Sequence, residues 1–434
     1  MRRLKVTAAL AAALGAVTAC GAGTTAPGAD SRSLSGQVVE VIGPWTGDEQ
    51  LRFEQVLDEF EKSTGAEVRY TPAGDELPTV LQTRVQGGTP PNVALVAQPG
   101  LVEQLAGAGS LKVVSPEVEK AVTEHNAGVW KRLGTFDGKL YGVHFKSANK
   151  STVWYSTEAF DAIGAEPPRT WEDFLKVGRA VVDTGQAAVS VGGADGWTLT
   201  DWFENVYLRT AGPDNYDKLA KHEIPWTDPS VREALETLGE LFGDPRLVEG
   251  GGAGALQTEF PQSVITVFGD EPKAAMVFEA DFVASVITTS TKAKVGEDAK
   301  FFKFPSIGGS QDAVVAGGDM AVQLKDDQAT TELMEFLASP DSGRVWAKLG
   351  GFLSPNKSIP ADAYADDVTR ELVKQLVDAG DNVRFDMSDL APAAFGGTKG
   401  AGEWKALQDF LANPRDVDAA VQRLESEAAK AFGR

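Results

Sequence analysis

The stretch from Gly138 to Ser156, GKLYGVHFKSANKSTVWYS, decides how the chain folds. Asp137-Gly138 is a turn signal, and two apolar, β-favouring runs follow it, Leu140 to Phe145 and Thr152 to Tyr155. Between them Lys146 to Ser151 carry two cations, an amide and almost no apolar side chain. Strand and helix patterns alternate before this stretch and again after it. Two strands joined by a short polar bridge between two α/β units predict a hinge, and a hinge between lobes makes the kind of cleft that ligands occupy. The local pattern also describes an antiparallel hairpin inside one sheet; the flanking chain weighs toward the hinge.

Upstream, Val38 to Gly43 is a short apolar run suited to a buried strand, ended by Pro44-Trp45-Thr46-Gly47. Phe53, Val56, Leu57 and Phe60 then recur at helical spacing, with Asp48 and Glu49 at the amino end and Gly65 as the stop. Ala66 to Tyr70 predicts a strand, Leu77 to Val85 a helix, and Asn92 to Ala97 another buried strand. Repeated βα units predict a parallel sheet covered by helices. Its ligands belong beyond the carboxyl ends of the strands, where residues 43–48, 71–76 and 98–100 form loops.

Downstream, Thr170-Trp171-Glu172-Asp173 reads as a capped helix start, and Ala187 to Val191 as a strand. Trp197 to Arg209 is an amphipathic segment loaded with aromatic and acidic residues. Gly250 to Gly254 follows a helix and reads as a loop. Ala274 to Phe278 is a buried strand leading into Glu279-Ala280-Asp281. Phe301 to Pro305 and Phe352 to Asn356 are candidates for further crossings between the lobes.

A chain of 434 residues exceeds one ordinary core and suggests two or three domains, or two lobes sharing segments. Its 42% hydrophobic and 24% charged content is that of a globular protein, and the net charge of −21 argues against nucleic-acid partners. Arg2, Arg3 and Lys5 precede an apolar run from Val6 to Val17, the form of a secretion leader. Val17-Thr18-Ala19-Cys20 resembles a lipobox, so Cys20, the only cysteine, is expected to carry the lipid anchor, which takes more than one acyl chain. Removing residues 1–19 would take the net charge from −21 to −24. Residues 20–36, rich in Gly, Ala, Ser and Thr, predict a flexible tether.

In order along the chain, several further motifs stand with the lipobox: Pro90-Pro91-Asn92-Val93-Ala94, Leu140-Tyr141-Gly142-Val143 before Trp154-Tyr155, Pro168 to Phe174, Gly317-Gly318-Asp319, and Phe352 to Asn356. With them the mature chain resembles the extracellular solute-binding proteins of ABC importers, in the large sugar-binding class. Gly196 to Trp202 and Phe385 to Pro392 are similar to the α-glucoside-binding branch. His144 departs from the proline common in relatives, which implies a different cleft wall there. The resemblance implies a periplasmic-binding-protein-like α/β fold of two lobes with a multi-segment hinge, lobe 1 being 37–147 plus 305–355 and lobe 2 148–304 plus 356–434. It also implies a lipid-anchored monomer on the outer face of the cell membrane. That protein would pass a mono- or oligosaccharide to the permease subunits and use no cofactor or metal.

A pyranose needs aromatic platforms for its CH face and planar polar groups for its hydroxyls. Trp45, leaving a strand end, is a candidate platform or a core tryptophan. Asp75 and Glu76 in the second loop and Gln98 at the third strand end are candidate hydroxyl partners. Trp197, Asp201 and Trp202 form the best cluster, residues 197 and 201 sharing one helical face. Lys146 and Lys150 in the bridge could reach the cleft, and Glu279 and Asp281, alternating at a strand end, share one face from which one of them faces it. The resemblance adds Asp319, Asn356 and Asp389, with partly structural roles. The rival functions are a secreted glycoside hydrolase using two carboxylates, with Asp201 and Glu279 or Asp281 as the conceivable pair, and the same fold binding an osmolyte or peptide. Three scattered histidines, His125, His144 and His222, build no metal centre.

Overall fold

A computed structural model describes residues 33–310, 313–379 and 382–433. The leader and Cys20 lie outside the described residues.

Twelve strands are described: β1 (Val38–Gly43), β2 (Glu67–Pro72), β3 (Val93–Val96), β4 (Thr135–Phe136), β5 (Lys139–Leu140), β6 (Gly142–Asn149), β7 (Thr152–Ser156), β8 (Ala187–Ser190), β9 (Ala274–Phe278), β10 (Ala299–Lys303), β11 (Val314–Gln323) and β12 (Val383–Phe385). A six-stranded sheet runs β12-β11-β3-β1-β2 with β6 also on β11, and a four-stranded sheet runs β10-β7-β9-β8. β1 pairs in parallel with β2 and β3, so their carboxyl ends point the same way. Each sheet is the spine of one lobe.

The first strands form where expected because continuous apolar runs suit a sheet covered on both faces; all four residues of β3 are buried. Helix Gly47–Thr64 buries Phe53, Val56, Leu57 and Phe60 and ends on Gly65, whose φ of 80° is left-handed. Thr170 Oγ1 accepts the Asp173 N–H at 3.2 Å and so caps helix Trp171–Val182.

The deciding stretch is a hinge in topology, not a hairpin. β6 pairs with β11 in the first sheet, while β7 pairs with β9 and β10 in the second. The bridge is shorter than its polarity suggested. β6 continues through Lys146, Ser147, Ala148 and Asn149, all buried, and only Lys150 and Ser151 join it to β7. The chain returns between β10 and β11, and again at Phe352-Leu353, whose side chains enter the cores of different lobes.

Four expectations are corrected. Leu34, inside the expected tether, is buried in the first lobe, and its N–H donates to the Thr64 carbonyl at 2.8 Å. The segment after residue 356 is not wholly in the second lobe, since β12 extends the first sheet beside β11. Gly251–Ala255 is a short helix rather than a loop. Helix Trp197–Ala211 is not amphipathic: every residue from Thr198 to Arg209 is buried. Its polar side chains are tied inside, Glu204 accepting from the Tyr216 hydroxyl and from the Met387 and Ser388 N–H groups.

Candidate functional site

Two adjoining cavities lie between the sheets. The inner one, ≈ 150 Å³, is lined from the first lobe by Pro44 beyond β1, Gly74, Asp75, Leu77 and Pro78 beyond β2, and Ala97 and Gln98 beyond β3. Lys150, Trp197, Ser388, Asp389 and Trp404 face them. The outer one, ≈ 440 Å³, shares Pro44, Gly74, Asp75 and Trp197 and adds Asp48, Glu49, Asp195, Glu259, Phe260, Phe282 and Lys399 among others. The cleft therefore sits at the strand ends that a parallel sheet prescribes.

Trp197 opens its helix and stands in both cavities. Its ring is 5.3 Å from Phe260 and 5.8 Å from Phe282, an aromatic wall on the second lobe. Gly196 makes room for the second tryptophan. Its φ is +86°, and a Cβ there would stand 2.8 Å from the Trp404 Cβ. Trp404 is fixed by its Nε1, which donates to the Gly396 carbonyl at 2.8 Å.

Lys150, the first residue of the two-residue link, points into the inner cavity. Its ammonium donates to Asp201 Oδ1 at 3.0 Å and to Asp386, and lies 5.8 Å from the Trp197 ring. Burial opposes its charge, but the Asp201 and Asp386 carboxylates outweigh that and hold its pKa well above the ordinary value. Burial lifts the Asp201 pKa to about 7 against the pull of Lys150. For Asp386 the balance is reversed: burial raises it, yet Lys150, Ser388 and the Asp389 N–H together bring it below the usual carboxylate range. Asp201 Oδ2 and both oxygens of Glu279 have no donor among the described residues, although the two carboxyls lie within hydrogen-bonding reach of each other. A proton held on Glu279, whose pKa burial raises well above the ordinary value, joins one of its oxygens to Asp201.

Lys146, Asp281 and Asp319 gather instead in a second knot that lines neither cavity. Lys146 pairs with Glu49, and its ammonium lies 5.9, 5.6 and 5.4 Å from the rings of Trp45, Phe282 and Trp346. Burial, opposed by Lys146, raises the pKa values of Asp281 and Asp319 to about 6. Asp281 Oδ1 accepts the Asn149 N–H at 2.9 Å. The β6–β11 pairing slips between Asp319 and Met320, a bulge that sits where Lys146 and Asp319 face each other.

Of the residues expected in the site, Asp75, Gln98, Trp197 and Asp389 line the inner cavity, and Asp201 stands behind them on Lys150. Trp45 is corrected: it is 3% exposed, packs edge-on to Phe53 and Trp346 at 4.7 and 4.9 Å, and donates its Nε1–H to Asp319 at 3.3 Å. Trp202 is likewise core, 4.5 Å from Phe278 and ringed by Phe242 and Phe304. Glu76 is exposed beside the cleft. Asn356 accepts the Ser358 N–H at 2.9 Å and bridges to Asn126, a structural role. Glu279 is buried behind Asp201. His144 is not a cleft wall; its ring lies 5.1 Å from Trp130 at a tilt of 53°, and burial lowers its pKa to about 3. Residues that sequence reasoning passed over are Ser388, Trp404 and Lys399. Trp404 sits in a helical period that reads as core, and Lys399 in a glycine-rich turn with no pattern. Lys399 pairs with Asp75 at 3.4 Å across the cleft.

Among the described residues no helix is long and apolar enough to cross a membrane, and no cluster of His, Cys, Asp or Glu is set to hold a metal ion. The family model described as bacterial extracellular solute-binding protein matches residues 44–344. The chain is 34% identical to the alpha-glucosides-binding periplasmic protein AglE of Rhizobium meliloti, over 92% of both proteins. It is 33% identical to the osmoprotective compounds-binding protein GgtB of Synechocystis, over 86% of this chain and 88% of that one. Among solved structures, the solute receptor AcbH, described as preferring β-D-galactopyranose, superposes with a TM-score of 0.79 at 20% identity, covering 91% of this chain and 99% of the receptor.

Proposed function

This chain belongs to the bacterial extracellular solute-binding proteins, and from that premise we propose that it captures an α-glucoside-type sugar between its lobes and delivers it unaltered to the permease of an ABC importer. The observation that carries the reading is the inner cavity, where two tryptophan rings meet Asp75, Gln98 and Asp389. The free face of Trp197 offers on the order of 60 Å² to a sugar, worth about 1.5 kcal/mol at about 25 cal/mol per Å², while Trp404, 4% exposed, closes the wall behind it. Hydrogen bonds between hydroxyls and charged groups, at about 1.5 to 3 kcal/mol each, supply most of the about 8 kcal/mol of a micromolar ligand. The name of AglE supports the α-glucoside. That of GgtB, at nearly the same identity, favours a second reading in which the ligand is an osmoprotectant.

Catalysis is not part of the proposal. A glycosidase needs carboxyls about 5 to 9.5 Å apart flanking the bond, whereas Asp201 and Glu279 lie against each other behind Lys150. The protein works outside the cytoplasm as a monomer, held to the membrane through Cys20; loss of lipid labelling in Cys20→Ala tests the anchor. A thermal-shift panel of mono- and disaccharides, with trehalose and other α-glucosides, tests the ligand. A saturating ligand is expected to raise the melting temperature by several degrees and to be recovered intact. No shift with any glycoside or osmolyte, or recovery of cleaved sugar, would overturn the reading.

A further inference from the structure

We propose that helix Trp197–Ala211 is a shaft to which the passages between the lobes are bonded, and that Asn205 is the positioning residue that carries ligand contact at its first turn to the hinge. The inference rests on the proposed capture of a sugar in the inner cavity and adds how that contact is felt where the chain crosses. Every residue from Thr198 to Arg209 is buried, yet the helix carries Asp201, Glu204, Asn205 and Arg209. Apolar side chains would fill plain core positions at no loss of stability, so these polar groups ask for another reason.

Their partners are the passages themselves. Asn205 Nδ2 donates to the Lys150 carbonyl at 2.7 Å and its Oδ1 accepts the Ser151 hydroxyl at 2.6 Å, so one side chain grips both residues of the first link. One turn on, Arg209 donates to the Phe304 and Ala313 carbonyls at 3.4 and 3.0 Å, on either side of the second passage. Arg209 also donates to Asn205 Oδ1 at 3.1 Å, which joins the two grips. Glu204 takes the last passage. The Asp386 N–H still bonds the Ala316 carbonyl in the first sheet at 2.8 Å, and the next two N–H groups, of Met387 and Ser388, go to Glu204. At the amino end of the same helix Trp197 stands in both cavities, and Asp201 holds Lys150.

The first two passages are bonded to each other as well. The Lys150 N–H donates to the Val315 carbonyl at 2.9 Å and the Phe304 N–H to the Ser151 carbonyl at 2.8 Å. The Ser151 hydroxyl donates to Asn205 while accepting the Val315 N–H at 2.9 Å. A ligand bearing on Trp197, Lys150 and Ser388 therefore loads a rod that is bonded to the hinge further along. Phe304 and Val315 line neither cavity, so their amides report the coupling without touching the ligand.

The test is amide hydrogen exchange at Phe304 and Val315 in the full chain, with and without a saturating disaccharide that the wild-type protein binds, alongside calorimetric affinity. The sugar is expected to slow both amides by at least about tenfold in the wild type. Asn205→Ala is expected to lose most of that slowing and to bind the sugar about tenfold more weakly. Ser151→Ala, a milder change read at Phe304, should move both quantities in the same direction and decides the matter where Asn205→Ala does not fold. Val206→Ala, at a fully buried apolar position of the same helix, is the control: it should lower the melting temperature yet keep the slowing and an affinity within about twofold of wild type. A helix that were only structural would treat these variants alike. Wild-type amides unmoved by the sugar, or an Asn205→Ala protein that keeps the slowing and binds within about threefold of wild type, would overturn the proposal and leave sugar binding intact. Failure of every glycoside to bind would defeat the sugar reading instead, and the ligand-free chain then decides. Exchange at Phe304 at least about tenfold faster in Asn205→Ala than in Val206→Ala upholds the shaft, and equal rates overturn it.

Discussion

Replacing Trp197 with alanine separates a ligand platform from a core tryptophan. The ring stands in both cavities and is only partly covered by Phe260 and Phe282. Trp197 is half-buried, so at most about a third of the roughly 250 Å² of a large aromatic side chain, on the order of 60 Å², is free to cover a sugar face. At about 25 cal/mol per Å² that contact is worth about 1.5 kcal/mol, and at about 1.4 kcal/mol per decade its loss weakens binding by roughly tenfold or a little more. Trp197→Phe keeps most of the face and is expected to lose less. Titration calorimetry with the best sugar of the panel measures both. The neighbouring Lys150 ammonium, 5.8 Å from the ring, contributes a smaller cation–π share to stability, so thermal unfolding is recorded in parallel. A dissociation constant for Trp197→Ala within about threefold of wild type, with the fold intact, would refute the placement of this ring against the ligand.

Trp202→Ala should do the opposite, costing about 3 to 5 kcal/mol in urea unfolding with little change in affinity where the protein still folds, because its ring is sealed against Phe278, Phe242 and Phe304. Gly100→Ala should destabilise the segment that carries Asp389, since a Cβ there would lie 2.0 Å from the Ala391 carbonyl oxygen and the backbone must move; weaker sugar binding and a lower melting temperature are expected together. Stability should fall as pH rises from about 4 to about 7: Asp201 at about 7 and Asp195, Asp281 and Asp319 at about 6 bind protons in the folded chain that the unfolded chain has already released. Each displacement from 3.8 to about 6 converts to at most about 3 kcal/mol. The depressed pKa of Asp386 acts at the other limb, where its contribution is lost below the ordinary carboxylate range. A melting temperature that stays level or rises between about pH 5 and about pH 8 would contradict this.

The position of the cleft was legible because Pro44, Asp75 and Gln98 follow apolar strand runs, and the parallel-sheet rule then sends their loops to one end. The two-sheet hinge was legible from the polar bridge, but its length was not. Lys146, Ser147 and Asn149 are polar residues paired in a buried strand, and polarity alone reads them as loop. The tryptophans were the hardest to sort. Trp45 and Trp197 both stand at element ends, and only the packing of Trp346 against one and the gap beside the other tells them apart. Trp202 lies on a helix buried on all sides, so no periodic face distinguishes core from cleft. β12 is three residues with no pattern of its own, recruited by the exposed edge of β11.

Only Lys150 and Ser151 separate β6 from β7, strands of the two sheets, and Lys150 is itself part of the wall of the inner cavity. In any rotation about that link, displacement grows with radius. Atoms near the link travel less than those far from it, and Lys150 is one of its two residues. A contact to Lys150 therefore shifts less in such a rotation than a contact to side chains carried far from the link.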